Sequence, residues 1–125
     1  VQAQAAQLLS CPEIFHNDAR AAYLAALAAT LPFPARLFLC NSGAEAVEAA
    51  LKFARLLSGR PGVVAATRGF HGRTMGALSA TWEPNYREPF APLVPGFAHV
   101  PFGNPEALAA AVSADTAAVL LEPVQ

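Results

Sequence analysis

Three short segments carry the residues that could do chemistry. The first is Leu37-Phe38-Leu39-Cys40-Asn41-Ser42-Gly43-Ala44-Glu45-Ala46, an apolar run that meets a Ser-Gly turn and opens onto a helical pattern. A helix start aims unpaired backbone N–H groups and the positive end of the helix dipole at one point, which suits a phosphate. The second is Gly69-Phe70-His71-Gly72-Arg73 and the third Leu121-Glu122-Pro123-Val124-Gln125, each following an apolar run. Flanking glycines let backbone pass close to a flat ligand, and an aromatic ring there can stack on it. A fixed guanidinium such as Arg73 grips a carboxylate through two hydrogen bonds. Glu122 follows Ala117-Ala118-Val119-Leu120-Leu121, where a carboxylate is costly unless it is paired or functional.

Each segment also has a plainer reading. Ser42 and Glu45 have the S-x-x-E spacing of a capping box, which needs no ligand. Phe70 alone suits a core anchor, His71 a loop histidine, and Arg73 a surface ion pair. No Gly-Lys-Ser/Thr follows the first turn, so a nucleotide P-loop is excluded, and its single glycine excludes a dinucleotide fingerprint. What favours function is that all three segments fall where strands end, the edge at which open α/β sheets bind ligands.

The elements that must position these residues read as alternating helices and strands. Residues 18 to 30 are Ala- and Leu-rich and stop before Pro32, which predicts a helix. Leu37 to Cys40 is expected as a short strand. Residues 44 to 58 form an amphipathic helix in this reading. Glu45, Glu48, Lys52 and Arg55 make its polar face, Val47, Ala50, Leu51, Ala54 and Leu57 its apolar one, and Gly59 its C-cap. Glu48 and Lys52 are spaced for an i,i+4 pair on that polar face. Val63 to Ala66 predicts a strand, 74 to 80 a helical or irregular segment, and 84 to 95 a loop. Ala98 to Val100 predicts a short strand and Ala117 to Leu121 a buried one; between them Asn104 caps a helix with Pro105 at its first position, ending near Val112. The pattern is that of an α/β domain with a mostly parallel sheet flanked by helices.

Composition narrows the function classes. The 125 residues are 54% hydrophobic and 14% charged, which predicts a packed core. A formal net charge of -1 gives no footprint for nucleic acid or an anionic membrane. No apolar run approaches the roughly 20 residues of a membrane span. Cys11 and Cys40 lack metal-ligand spacing, so no metal is expected, and reduced thiols point to the cytoplasm. The ends read as cut from a longer chain: the sequence lacks an initiator Met, and a strand ending at Leu121 should lead into more structure.

Asn41-Ser42-Gly43-Ala44-Glu45-Ala46, Phe70-His71-Gly72-Arg73-Thr74 and Leu121-Glu122-Pro123-Val124-Gln125, in this order, resemble the class III aminotransferases, which depend on pyridoxal 5'-phosphate. Gly76-Ala77-Leu78-Ser79-Ala80-Thr81, Pro95-Gly96-Phe97 and Val100-Pro101-Phe102 point to their ornithine/acetylornithine-type branch. The resemblance implies that the chain is part of the large domain of a fold-type I transferase. It implies Ser42, Gly43 and Ala44 at the cofactor phosphate, Phe70 stacked on the pyridine ring with His71 adjacent, Arg73 on the substrate carboxylate, and Glu122 near the ring. The implied reaction moves the terminal amine of N-acetylornithine to 2-oxoglutarate, as in arginine biosynthesis. The implied partners are small amino acids and 2-oxo acids, with no nucleic acid or membrane, and a second copy in a homodimer.

Close relatives acting on ornithine, 4-aminobutyrate or a carrier-linked lysine precursor fit the same motifs, and a non-catalytic phosphate-binding scaffold is the alternative of another class. The chain's single lysine, Lys52, does not match the lysine that carries the cofactor in this family, so none of the 125 residues is expected to fill that role. The Asp that pairs with the pyridine nitrogen also has no counterpart. Val47 stands where the family commonly has Asn, and Asp18-Ala19 where Glu-Pro is frequent.

Overall fold

The structure is a computed structural model that describes residues 1–125. It divides into two compact units, Val1–Phe38 and Leu39–Gln125. The first holds helix α1 (Gln2–Gln7), which the sequence reading did not anticipate, and helix α2 (Asp18–Ala28). Asn17 caps α2 as its side chain accepts from the Arg20 amide at 2.9 Å, an N-cap bond of the usual kind.

The second unit begins with helix α3 (Gly43–Ser58) and continues through strand β1 (Gly62–Ala66), helix α4 (Met75–Ala80), helix α5 (Pro84–Arg87), strand β2 (Phe97–Val100), helix α6 (Pro105–Ala111) and strand β3 (Thr116–Leu120). The sheet order is β2-β1-β3, with both pairings parallel. Val63, Val64, Ala65 and Ala66 are all buried. Successive strand residues point to opposite faces, so burial of all four means that both faces of β1 are covered. Helix α3 packs on β3 and α4, while α4 packs on β1 and β2 and α6 on β2. The expected α/β class with a parallel sheet and flanking helices is what forms.

The last strand forms but is not the buried one expected: β3 lies at an edge of the sheet and is only partly covered, with Val119 40% exposed and Leu121, just past its end, 47%. Three further local expectations change. Leu37 to Cys40 is not a strand. Apolar β-formers need a paired neighbour, and the sheet comprises only the other three runs. Residues 84–95 are not all loop: Glu83 caps α5, with Pro84 at its first position, and a 3₁₀ turn covers Glu88–Phe90. The third concerns α3. Ala44, Val47, Leu51 and Ala54 are at least partly covered, but so is Glu48, whereas Ala50 and Leu57 are exposed. The inward stripe is therefore rotated from the expected one, and Glu48 belongs to it rather than to the solvent face with Lys52.

The connection after β1 fixes the rest. Gly69 N donates to Ala66 O at 3.3 Å, closing a tight turn in which Arg68 has φ 66°. That left-handed conformation is uncommon for a residue with a side chain. Helix α4 is short but almost wholly buried, with Ala77, Leu78 and Ala80 in the core.

Candidate functional site

Helix α3 presents the first candidate group. Ser42 Oγ accepts from Glu45 N at 3.2 Å, and Glu45 Oε2 accepts from Asn41 N at 2.7 Å. The Ser-x-x-Glu cap thus forms, with the glutamate reaching one residue beyond the N-cap. The Ser42 carbonyl takes Ala46 N at 3.0 Å. The Gly43 and Ala44 amides precede the first intrahelical bond and remain available, as does the Ser42 hydroxyl hydrogen. A Cβ built on Gly43 would meet nothing within 4 Å, and its φ is not in the left-handed region. Neither packing nor backbone geometry requires glycine there, so its use is open approach to the helix start.

The 69–74 loop is held opposite by its own bonds. Trp82 N donates to Gly69 O at 3.0 Å, and His71 N donates to Thr81 Oγ1 at 2.9 Å. Thr81, fully buried, in turn lies 3.1 Å from Gly72 O and Ala77 O as donor. Gly72 has φ 126°, and a Cβ on it would sit 2.8 Å from Ala44 Cβ. Only glycine allows the loop to lie flush against α3. The result is a cavity of about 690 Å³ lined by Gly43, Ala44, Val47, Phe70, His71, Gly72, Arg73 and Thr74. Its size falls in the usual ligand range of about 300–1,000 Å³.

Of the residues singled out from the sequence, Gly43, Ala44, Phe70, His71 and Arg73 are therefore brought together. Ser42 caps the helix beside them but does not line the cavity. Phe70 is 45% exposed and meets Tyr86 edge-on with centroids 6.0 Å apart, so it is not a core anchor. Arg73 is exposed.

Glu122 lines a neighbouring cavity of about 460 Å³ at the carboxyl ends of the three strands, with Ala66 to Gly69, Pro101, Phe102, Pro123 and Gln125. It is tied back to the loop: its Oε2 accepts from Phe70 N at 3.1 Å and from Gln125 Nε2 at 2.8 Å. Gln125 Nε2 also donates to Arg68 O at 2.9 Å, which bridges β3's end to the left-handed turn after β1. The Phe70 amide, then Gln125 and the nearby His71, hold the Glu122 carboxyl below the usual carboxylate range against a small opposing effect of burial. Burial pushes His71 below the ordinary histidine value; the Glu122 charge opposes this and His99 adds to it. At neutral pH the site thus contains an ionised carboxylate and a neutral imidazole. His71 is 8% exposed, and its Nε2 has no hydrogen-bond partner.

Glu48, Thr81 and Gln125 were not singled out as site residues by sequence reasoning. Glu48 Oε1 accepts from Thr74 Oγ1 at 2.6 Å, Gly76 N at 2.9 Å and Ala77 N at 3.1 Å. The sequence carried no signal for this, since Thr74 is itself a favoured N-cap residue and only the structure shows its hydroxyl turned to Glu48 instead of to its own helix. The single lysine, Lys52, lines a different cavity, beside Glu48, Met75 and Phe97.

The donor set fits a phosphorylated, planar ligand. The α3 amides and Ser42 hydroxyl suit a dianion, Phe70 has open surface for a ring, and Arg73 suits a carboxylate. Comparison with known proteins agrees. The family model described as "Aminotransferase class-III" matches residues 1–125. An acetylornithine aminotransferase of Methanopyrus kandleri is 49% identical over 126 residues, covering 100% of this chain and 32% of that protein. A LysW-aminoadipate semialdehyde transaminase of Deinococcus radiodurans is 52% identical over 128 residues, covering 100% and 30%. The chain thus spans about a third of the length of these relatives. Among solved structures, an ornithine aminotransferase from Toxoplasma gondii, described with partial occupancy of pyridoxal phosphate at its active site, superposes with a TM-score of 0.88. It is 29% identical, with 99% of this chain and 31% of that chain covered. The chain belongs to the class III aminotransferase family.

Proposed function

We infer that this chain forms part of the cofactor-binding large domain of a pyridoxal-phosphate-dependent aminotransferase that moves the terminal amine of N-acetylornithine to 2-oxoglutarate. The observation that carries the reading is the single cavity in which the open start of α3 faces Phe70, His71 and Arg73. Ser42, Gly43 and Ala44 would hold the phosphate, Phe70 would stack on the ring with His71 beside it, and Arg73 would bind the substrate's carboxylate. Glu122 would stand at the ring's edge as an ionised carboxylate while fixing the Phe70 backbone. When bound, the cofactor supplies the electron sink for amine transfer. The protein's own contribution is orientation: Arg73 fixes one end of the substrate, and the tethered loop fixes the plane against which its amine is presented.

The lysine that carries the cofactor, and the Asp facing its ring nitrogen, would come from residues outside these 125, as Lys52 lines a different cavity. Assembly as a homodimer in the cytoplasm belongs to the same reading. No helix is long and apolar enough to cross a membrane. A second reading, a carrier-linked lysine precursor as substrate, is favoured by the relative named for LysW-aminoadipate semialdehyde; that aldehyde accepts an amine, so the matching donor in the glutamate-forming direction is the amine made from it.

The test is a donor panel with the full-length protein, pyridoxal phosphate and 2-oxoglutarate, reading glutamate formation. Preference for N-acetylornithine over ornithine, 4-aminobutyrate and a carrier-linked lysine supports the main reading. Preference for the carrier-linked amine moves the assignment to that branch, and no glutamate from any donor refutes both. Borohydride reduction followed by peptide mapping checks the lysine: labelling of Lys52 contradicts the proposal.

A further inference from the structure

The residues on either side of Arg73 are both held by one helix. Its predecessor, Gly72, lies against Ala44 of α3, where a Cβ would come within 2.8 Å of the Ala44 side chain. Its successor, Thr74, donates its hydroxyl to Glu48 of α3 at 2.6 Å. Ala44 and Glu48 are four residues apart, so they lie one above the other on the same face of α3. The helix whose start would take the phosphate thus also sets where the carboxylate-binding arginine begins.

The Glu48 end of this arrangement is built with some care for charge. One carboxylate oxygen takes three donors: the Thr74 hydroxyl and the amides of Gly76 and Ala77. Those amides belong to the second and third positions of α4, which an N-cap side chain ordinarily satisfies, yet Thr74 makes no such cap bond. Glu48 supplies the cap from another helix. Gly76 makes room for it, since a Cβ there would overlap Glu48 Oε2 and lie 2.9 Å from Cδ. Burial alone would raise the Glu48 carboxyl, but the Thr74, Ala77 and Gly76 bonds and Lys52 together hold it below the usual range.

We propose that Glu48 is a positioning residue of the aminotransferase site, clamping Thr74 and the start of α4 so that Arg73 is held at a fixed distance from the N-terminus of α3. The proposal rests on the functional reading above, and it assigns Glu48 no contact with substrate or cofactor. Its consequence is selective: loosening the clamp weakens carboxylate binding more than it slows turnover, because Arg73 becomes mobile while the cofactor end stays in place.

The experiment uses the full-length protein with E48A, E48Q, G76A and the double variant E48A/G76A. N104A serves as the control for lost stability, since Asn104 caps α6 through Ala107 N at 2.8 Å and lines neither of the cavities assigned to the site. Amide exchange is measured on all of them without cofactor, and steady-state kinetics with 2-oxoglutarate as the varied substrate. E48A is expected to speed exchange of the Phe70–Thr74 amides about tenfold and to raise KM about tenfold, with kcat changed less than about threefold. G76A gives the same pattern, the double variant is no worse than E48A, and E48Q, which keeps the acceptor but not the charge, falls between E48A and wild type. If E48A does not fold, E48Q still decides: it should raise KM and loop exchange severalfold over wild type. Loop exchange and KM that match wild type, or that shift equally in N104A, overturn the proposal. A wild-type protein that transfers no amine refutes the functional reading instead, and the loop exchange then decides the clamp by itself.

Discussion

Replacing Gly43 by alanine separates a binding role from a structural one, because the two predict effects of opposite sign. Gly43 is the first residue of α3, its φ is ordinary, and an added Cβ touches nothing within 4 Å. Within the protein, alanine is therefore free of strain, and the lower chain entropy of the unfolded state should stabilise the fold by about 0.5–1 kcal/mol. A phosphate seated on the Gly43 and Ala44 amides would instead meet the new methyl group. Losing one charge-assisted hydrogen bond costs about 1.5–3 kcal/mol, so pyridoxal phosphate should bind about tenfold to a hundredfold more weakly. The assay pairs urea unfolding of the cofactor-free full-length protein with equilibrium binding of pyridoxal phosphate, followed by its absorbance. Stability that rises while affinity falls supports the phosphate at this helix start. Stability that rises with affinity untouched would falsify it and leave Ser42 and Glu45 as a plain capping box.

Three further outcomes follow from the geometry. Arg73→Lys keeps the charge and loses the planar fork, so KM for 2-oxoglutarate should rise about tenfold or more with a smaller change in kcat; equal KM values would remove Arg73 from the substrate site. Thr81→Val is close to isosteric but leaves the His71 amide and the Gly72 carbonyl without their shared partner. It should cost about 1–3 kcal/mol, read as a lower urea midpoint, and an unchanged midpoint would contradict the role given to the Thr81 hydroxyl. His71 and His99 are both depressed below 6.5, chiefly by burial. The unfolded chain then binds protons more readily than the folded one. Stability is accordingly full above 6.5 and declines as pH falls through that value toward the folded pKa of each group. His71→Asn should make that decline shallower; a slope equal to wild type would show that His71 takes no part.

Much of this was legible from the residues. The helix start at Ser42 and Gly43 was, because a cap and a glycine C-cap enclose a long amphipathic run, and Gly59 does adopt φ 69° at its end. The strands at 62–66, 97–100 and 116–120 were, because apolar runs between turn residues have few other uses in a chain this hydrophobic. The strand expected at Leu37–Cys40 failed because a strand is a property of a pair, and no sequence pattern names its neighbour. Glu48 was misplaced for a related reason. Periodicity sorts residues by polarity, and a carboxylate turned inward to cap another helix has the same polarity as one in water. Thr81 and Gln125 were invisible because each acts through backbone groups of the 68–72 loop, which no side-chain motif records. The bond from Glu122 to the Phe70 amide joins two segments 52 residues apart. The motifs predicted that those segments share an edge, but not that one would hold the other.

The most direct test of the central claim is a half-reaction. Full-length protein loaded with pyridoxal phosphate is mixed with N-acetylornithine in the absence of any oxo acid, and the cofactor released on denaturation is quantified. The account predicts conversion of bound cofactor to pyridoxamine phosphate, one for each site, at a rate that falls at sub-saturating donor when Arg73 is replaced by lysine. Failure to retain the cofactor, or retention with no pyridoxamine phosphate formed from N-acetylornithine or any other amine donor, would contradict it.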